Sequence, residues 1–516
     1  MKTIKLIATT AMVSSLILFT GCSDIVDLDP DGSITTDLAL STVEGLEGSI
    51  LGVYERGRSP YESNDLCMYR TAGTDIIMGG TNLSDQAIAR ALSSYDFELS
   101  PDNQGVLDVW NAYYTALNRA NIIIKNVDSA SDVNPDDANQ VRRINTVKGE
   151  AYFFRAYFHF NLIKRWDNIV LVMDAPEVVS NEAELADPAE VWAAIVSDLE
   201  TAIPLLPSTV NSNGRVSKAV ARHMFSKVLM WLGRYDEAAA QADQVINDGN
   251  YMLEPLDVIF STQHEENREI LLAWQFDQSD VDHPSRTCQQ YFPLYDRVNG
   301  VARTFDQGGR PWARLAPNSY YFTLFDEADG RLDAWHKRFW YYDDAENLPA
   351  GVNLGDVVTT ENISGGVNPL YITPTTAKYQ EDGYLGRQLG DAQGYKNVIQ
   401  YRLSEAYLVA AEANMRGSGG EAKALTYINV LRQRAYGDSS HNLTSLNQDI
   451  FLEEHARELG HEGHRWDLLK RLGVLVERVR EYNPDAGLNI QDFHVRWPIP
   501  RSFVSLTGVA QNPSYN

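Results

Sequence analysis

The chain has 516 residues, of which 44% are hydrophobic, so it is long enough to bury a large core or several domains. Its 70 acidic residues outnumber its 44 lysines and arginines, which gives a formal net charge of −26 at pH 7. This balance disfavours nucleic acid as a partner, because each phosphate contact needs a lysine or arginine to displace counterions.

Residues 1–21 have the pattern of a secretion signal. Lys2 and Lys5 form a basic start, and the mostly apolar run 7–19 is too short to span a bilayer. The run leads through small residues into Cys22, which resembles a bacterial lipoprotein box, where the signal is cut before the cysteine and the cysteine is acylated. Acyl chains would anchor the mature chain without a spanning helix. The alternative is an ordinary secretory signal followed by an incidental cysteine.

Residues 22–40 are predicted to be an acidic tether, since they contain little that could form a core. Acidic residues soon after a lipidated cysteine resemble the surface-export signal of Bacteroidetes lipoproteins. The expected location is therefore the outer membrane, with the protein lipid-anchored and exposed at the cell surface. No later apolar run approaches the length of a transmembrane helix, so no second membrane segment is predicted.

Two cysteines remain after the one assigned to lipid, Cys67 and Cys288. Two cysteines give no disulfide framework, although they could pair in an oxidising compartment. We expect two free, buried thiols, because unpaired cysteine behaves as a small hydrophobic residue.

Helical periodicity dominates the segment 41–268. Apolar residues step by three and four along predicted helices at 106–124, 147–162 and 192–203. Pro204 and Pro207 are expected to stop the last of these.

Two helix-turn-helix units resemble tetratricopeptide (TPR) repeats. The first covers 216–246 and turns at Gly233, and the second covers 402–436. One such pair cannot bury both of its faces, so several must stack. The predicted fold is therefore mainly α, a TPR-type scaffold in which segment 41–268 and segment 396–516 close into one globular body.

Residues 269–395 differ from both flanking segments. Helical periodicity fades, and turn pairs such as Asn299-Gly300 and Asp382-Gly383 interrupt the chain. We predict a loop-rich, partly β insert that carries the ligand face, because loops held by a rigid scaffold commonly bind ligands.

The insert is rich in aromatic residues, as a sugar-binding face would be. Sugars present apolar C–H faces and polar rims, which receptors match with flat rings and with Asn, Asp, Arg or Gln side chains. The candidate ligand-binding residues are Trp312, Trp335, Trp340, Tyr291, Tyr295 and Arg310 in the insert, with Asn82 and Tyr95 as an N-terminal rim. The alternative is that most of these rings form the core of a small subdomain, since large aromatic residues are usually buried.

Basic residues slightly outnumber acidic residues between Arg286 and Trp340, in contrast to the acidic chain as a whole. Arginines there could bind the carboxylates or sulfates of an anionic glycan. Internal ion pairing is the alternative, because the two signs are interleaved. The overall acidity favours a neutral glycan, and the insert leaves an anionic one open.

The C-terminal run from Glu453 to Arg471 contains three histidines, His455, His461 and His464, among glutamates. A zincin helix needs two histidines four residues apart on one face. The spacings here are six and three, and glycines interrupt the helix, so we expect no metal and no other cofactor. The alternating charges instead predict a partly buried helix tied to its neighbours by ion pairs.

This run resembles the C-terminal signature of the SusD/RagB family of outer-membrane nutrient-binding lipoproteins, with His455 where the family usually has arginine. The helix 397–413, the Trp497-Pro498-Ile499-Pro500 segment and the terminal Gln511-Asn512-Pro513 also resemble that family, which extends the match from Cys22 to the end. The resemblance implies a cell-surface protein that captures poly- or oligosaccharide by reversible binding, without catalysis. It also implies delivery to a SusC-like TonB-dependent transporter.

Three other functions stay open. The same architecture could bind peptides, as RagB-like members do. An acidic chain could hold the two carboxylates of a glycoside hydrolase, although no Gly-x-Ser-x-Gly, phosphate-loop or zincin motif is present. A TPR scaffold could also bind only proteins.

Overall fold

The computed structural model describes residues 40–83, 87–130, 132–175 and 182–515. The predicted signal peptide, Cys22 and nearly all of the tether lie outside these residues. Among the helices in the described ranges, none combines the length and the apolar character needed to cross a membrane.

The described residues are mainly helical, with short strands. The N-terminal helices are α1 (Val43–Arg58), α2 (Ala87–Ser94), α3 (Gln104–Asn126), α4 (Ala138–Trp166), α5 (Pro188–Leu205), α6 (Lys218–Trp231), α7 (Tyr235–Ile246) and α8 (Leu256–Ile259). The later helices are α9 (Ser319–Thr323), α10 (Arg331–Ala334), α11 (Leu403–Arg416), α12 (Gly420–Tyr436), α13 (Gln448–Leu459), α14 (Arg465–Arg471), α15 (Leu475–Tyr482) and α16 (Arg501–Thr507). The strands are β1 (Ile77–Gly79), β2 (Ile270–Trp274), β3 (Leu315–Pro317), β4 (His336–Lys337), β5 (Thr375–Thr376) and β6 (Val398–Arg402).

The predicted N-terminal helices form as their periodicity indicates. Helix α3 begins where the Asn103 side chain accepts a hydrogen bond from the Val106 N–H at 3.1 Å, a helix N-cap. Helix α4 is the central helix, because every residue from Phe153 to Trp166 is buried. Helix α5 ends at Leu205, one residue after the proline that was expected to stop it.

The two predicted TPR-like units stack on each other. Helices α6 and α7 form the first unit, α11 and α12 form the second, and α7 packs against α11. Asp236 at the start of α7 accepts a hydrogen bond of 2.7 Å from the N–H of Ser418, which lies in the turn of the second unit. The two units therefore form one continuous helical stack, and the chain between them is an insertion, or excursion, that leaves this stack and returns to it. The predicted mainly α scaffold is confirmed.

The excursion is closed at its base by an antiparallel strand pair. Ile270 of β2 pairs with Arg402 of β6, and Trp274 pairs with Val398. Two further two-stranded ribbons, β1–β3 and β4–β5, lie in the described part of the fold. Because β1 belongs to the N-terminal segment and β3 to the insert, the first ribbon fixes the insert against the scaffold.

Buried residues form two hydrophobic clusters. The main cluster runs through the scaffold and includes the apolar faces of all its long helices. The second is confined to the insert and consists of Tyr295, Val298, Val301, Trp340, Tyr342 and Val358. The insert therefore has a small core of its own.

A buried ionic network joins the insert to the C-terminal signature. Arg331 of α10 is fully buried and contacts Asp329 at 2.7 Å, Glu454 at 2.8 Å and Glu458 at 2.9 Å. The two glutamates lie one turn apart on α13, so a single guanidinium bridges both. The ion pairs expected of this run are confirmed.

Arg402 at the end of β6 extends the same network. Its guanidinium contacts Glu269 at 2.8 Å, Glu458 at 2.7 Å and Glu462 at 2.7 Å, and Arg434 of α12 contacts Glu269 at 2.6 Å. The glutamates beside the histidines are therefore held by arginines. No group of three or more His, Cys, Asp or Glu side chains placed to hold a metal ion occurs within the described ranges.

The network predicts a loss of stability in acid. Burial would raise the pKa of Glu454, but the charges of Arg331, Arg457 and Arg432 outweigh it and lower the pKa from 4.5 to about 2. A lowered carboxyl pKa contributes stability above the unfolded value, and this contribution is lost as the pH falls toward the folded value. We expect the thermal unfolding midpoint to drop between about pH 4.5 and about pH 2. A Glu454→Gln variant should show a shallower drop, and equal slopes for both proteins would contradict this assignment.

Both remaining cysteines, Cys67 and Cys288, are buried and free of disulfide bonds. Burial raises the pKa of the Cys288 thiol to about 12. Since the thiolate is the reactive form, neither side chain is suited to exchange in the folded protein.

Candidate ligand-binding site

A narrow cleft opens where the N-terminal segment meets the insert. The turn after β1, from Gly79 to Thr81, forms one wall, and Leu370 and Thr373 form part of the other. Tyr291 lies at its floor. The hydroxyl oxygen of Thr81 is buried at the wall and has no hydrogen-bond partner among the described residues.

Backbone hydrogen bonds fix the N-terminal wall against the insert. The N–H of Gly80 donates to the carbonyl of Arg314 at 2.8 Å, and the N–H of Asn82 donates to the carbonyl of Ala313 at 3.0 Å. A Cβ at Gly80 would lie 2.1 Å from the Ala313 oxygen, so only glycine permits this approach. The predicted N-terminal rim residue Asn82 therefore lies beside the loop that carries Trp312.

Trp312 is half-buried and lies close to two arginines. The guanidinium carbon of Arg310 is 5.4 Å from the centre of the indole, and that of Arg314 is 4.7 Å from it. Arg314 is buried and ion-paired with Asp65, whereas Arg310 is half-buried and has no carboxylate partner in the described structure. Trp312 thus combines a flat ring with an available cation.

The backbone after Trp312 is unusual. Ala313 has a φ of +50°, in the left-handed region that residues with a side chain rarely adopt. Such outliers are found preferentially at binding sites and are held by the surrounding structure. Here the carbonyl of Ala313 accepts from Asn82 and its N–H donates to the carbonyl of Phe292 at 2.9 Å, so hydrogen bonds hold this conformation on both sides.

Two of the predicted tryptophan platforms lie in the interior. Trp335 is 1% exposed, and its indole lies 4.5 Å from the Lys378 ammonium and 5.4 Å from the Arg402 guanidinium, over the ionic network. Trp340 is also buried and stacks on Tyr295 at 6.2 Å within the second cluster. The expectation that Trp335, Trp340 and Tyr295 face a ligand is corrected, because all three rings are buried.

Tyr95 is likewise a core residue. Its hydroxyl donates to the carbonyl of Gly73 and accepts a hydrogen bond of 2.9 Å from the indole N–H of Trp466. Tyr291 is 4% exposed and donates to Thr71 at 2.9 Å, although part of it lines the cleft floor. Of the sequence-based candidates, the half-buried Trp312 and Arg310 lie together, Asn82 lies beside their loop through its hydrogen bond to Ala313, and Tyr291 lines the nearby cleft.

Phe339 and Tyr341 fall outside the sequence-based candidates, yet both are exposed. They flank the buried Trp340 in an extended segment, where successive side chains point to opposite faces. Because Trp340 faces inward, its two neighbours must face outward. This alternation is the signal that would have identified them, but it extends over too few residues to be recognised in a loop-rich sequence.

A second pocket lies within the scaffold. Its charged groups are paired with one another, Lys164 with Asp467 at 2.5 Å and Arg471 with Glu412 at 2.6 Å. His455 also lines it, and burial together with the charge of Arg465 lowers the pKa of this imidazole well below its usual value. Since these groups satisfy each other, the cavity is less suited to a charged ligand than the surface cleft.

Two family models match the sequence. Residues 38–230 match a SusD-like family described as starch-binding and associating with the outer membrane. Residues 268–515 match the SusD family. Together the two models cover the N-terminal scaffold, the insert and the C-terminal signature.

Individual proteins agree with these models. A SusD-like protein P2 of Formosa agariphila is 27% identical, over 97% of this chain and 98% of that protein. The starch-binding protein SusD of Bacteroides thetaiotaomicron is 31% identical, over 58% of this chain and 61% of that protein. The solved structure of a laminarin-binding SusD-like protein superimposes with a TM-score of 0.70 at 22% identity, over 91% of this chain and 99% of that one.

Proposed function

The chain belongs to the SusD family, and from this membership and the geometry of the cleft we propose that it binds carbohydrate at the outer membrane. Its cargo would be a poly- or oligosaccharide, captured reversibly and without bond-making. Two similar proteins are named for starch and laminarin, which are both glycans. The observation that carries the proposal is the half-buried Trp312 ring beside Arg310, which has no carboxylate partner in the described structure. Trp312 directly precedes Ala313, which lines the cleft.

The binding mechanism follows from the chemistry of these side chains. The indole of Trp312 offers a flat apolar surface for the C–H face of a sugar ring. Arg310 and the side chain of Asn82 would donate hydrogen bonds to the polar rim of the sugar, and the Thr81 hydroxyl would complete its own hydrogen bonding with the ligand. Few charged groups are used, which suits a receptor that must release its cargo.

We further propose how the protein is placed in the cell. Acyl chains on Cys22 would anchor it, and the acidic tether would hold it at the cell surface. The captured glycan would pass to a SusC-like TonB-dependent transporter. The family description, which includes association with the outer membrane, supports this placement.

An anionic glycan is the second candidate cargo. Arg310 has no carboxylate partner in the described structure, so its guanidinium could bind a uronic acid or a sulfate with two hydrogen bonds. With a neutral sugar, the Arg310 guanidinium would act only as a hydrogen-bond donor. An Arg310→Ala variant should therefore abolish binding of an anionic glycan but only weaken binding of a neutral one.

The test is native affinity electrophoresis of the chain from Ser23 onward, in gels that contain neutral or anionic polysaccharides. Retardation by one polysaccharide is expected, with about tenfold weaker binding for Trp312→Ala, since the lost stacking corresponds to roughly 1.4 kcal/mol. Trp192→Ala is the matched control, because Trp192 is a half-buried tryptophan that stacks on Trp231 in the scaffold. If no glycan retarded the protein, a peptide cargo would be favoured instead. If Trp312→Ala and Trp192→Ala were retarded equally, the binding site would have to lie elsewhere than at Trp312.

A further inference from the structure

The insert carries an outward-facing aromatic surface apart from the cleft. The segment around Tyr341 pairs with the segment around Val357, and the N–H of Tyr342 donates to the carbonyl of Asp356 at 3.0 Å. The N–H of Val358 donates in turn to the carbonyl of Trp340 at 2.9 Å. This pairing holds the side chains in strict alternation between the second core and solvent.

Three of the outward residues are apolar. Phe339 is 48% exposed, Tyr341 is 39% exposed and Val357 is 37% exposed. We call these three residues the aromatic ridge. Side chains two residues apart on a strand are about 7 Å apart along it, so the two rings form one continuous surface. Exposed rings that border each other in this way mark interaction sites more often than isolated ones.

Two basic side chains from the residues just before Phe339 border the ridge. The Arg338 guanidinium lies 5.2 Å from the Phe339 ring, and the Lys337 ammonium lies 5.6 Å from the Tyr341 ring. Arg338 is already paired with Glu327 and with Asp333, at 2.8 and 2.9 Å. Lys337 donates to a backbone carbonyl. Rings bordered by an ion-paired arginine and a hydrogen-bonded lysine suit a ligand with apolar faces and a polar rim, which describes an uncharged sugar.

The ridge adjoins the loop that carries the candidate site. The side-chain amide of Gln307 donates to the carbonyl of Tyr341 at 2.8 Å, and the Lys337 ammonium donates to the carbonyl of Asp306 at 3.0 Å. The same loop continues through Arg310 to Trp312. The ridge and Trp312 are therefore held by two parts of one loop, Asp306 to Gln307 and Arg310 to Trp312.

We infer that the aromatic ridge is a second carbohydrate-binding surface, and that the cargo is a polysaccharide whose chain reaches from Trp312 to the ridge with uncharged sugar units there. This inference rests on the proposed carbohydrate-binding function and adds the length of the ligand to it. A short oligosaccharide would occupy only the Trp312 region. A polymer would contact both surfaces and gain affinity from the second contact.

The test compares a polysaccharide with a short oligosaccharide of the same linkage. The double variant Phe339→Ala/Tyr341→Ala should bind the polymer about fivefold more weakly, as expected for the loss of two ring contacts, and should bind the short oligosaccharide as the wild type does. Neither side chain is in the core, so the variant should unfold at the wild-type temperature. Leu506→Ala, an exposed position on α16, is the control and should bind both ligands normally.

The outcomes separate the two proposals. If no glycan retarded the wild-type protein, the proposed carbohydrate-binding function would be overturned. Binding by the wild type with unchanged polymer binding by the ridge variant would overturn the ridge alone and leave the cleft in place. An equal loss for polymer and short oligosaccharide would also overturn the inference, because the ridge would then belong to the first sugar site.

Discussion

Replacing Arg402 with methionine is expected to lower the free energy of unfolding by about 3–5 kcal/mol, the usual cost of removing one partner from a buried ion pair. Arg402 is fully buried, and its guanidinium is shared by Glu269, Glu458 and Glu462. Methionine fills a similar volume but leaves these carboxylates with less positive charge. The neighbouring arginines and Lys378 retain part of the compensation, which keeps the loss within this range.

Arg480→Met is the matched control for this experiment. Arg480 contacts Asp492 at 3.2 Å, but both side chains are largely exposed, and exposed pairs contribute about 0–1 kcal/mol. Urea unfolding followed by circular dichroism measures both variants. Equal losses for the two would contradict the view that the network ties the insert to the C-terminal signature.

Trp335→Ala is expected to destabilise the protein by about 3–5 kcal/mol, as for other buried tryptophans. The substitution removes the ring that covers Lys378 and Arg402, and it deprives the Leu256 carbonyl of the indole hydrogen bond at 2.9 Å. The variant should nevertheless bind glycan normally at a temperature where it is folded, because Trp335 is buried and its ring cannot contact a ligand at the surface.

Trp312→Ala is the reciprocal case, since it should weaken glycan binding with a much smaller effect on stability. The two tryptophans lie 23 positions apart in one insert. Measuring the unfolding temperature and the glycan affinity for both variants therefore separates structural from binding roles. A Trp335→Ala protein of wild-type stability that failed to bind glycan would contradict the assignment of Trp335 to the core.

The scaffold was predictable because helical periodicity is a local signal. Residues three and four apart on α3 and α4 share a face, so their apolar character marks the buried side without knowledge of the partner helix. The alternation of charge in the C-terminal run likewise predicted ion pairs. Its partners Arg331 and Arg402 are far away in the sequence and could not be named.

The insert was harder to predict for a physical reason. Trp312 and Trp335 both lie in short irregular segments, and their burial is decided by residues that are distant in sequence. Trp335 is enclosed because Arg402 and Lys378 meet beneath it. Trp312 is half-buried, and its ring lies beside Arg310 and Arg314, of which Arg314 pairs with the distant Asp65. No periodic pattern of the sequence records either fact.

The most direct test of the carbohydrate-binding proposal is a crystal structure of the chain from Ser23 onward with an oligosaccharide of the polysaccharide that retards it most. We expect a sugar ring stacked on the indole of Trp312, with Arg310 and either Asn82 or Thr81 within hydrogen-bonding distance. Sugar bound only elsewhere, for example in the scaffold cavity beside His455, with the cleft free of it, would contradict the account.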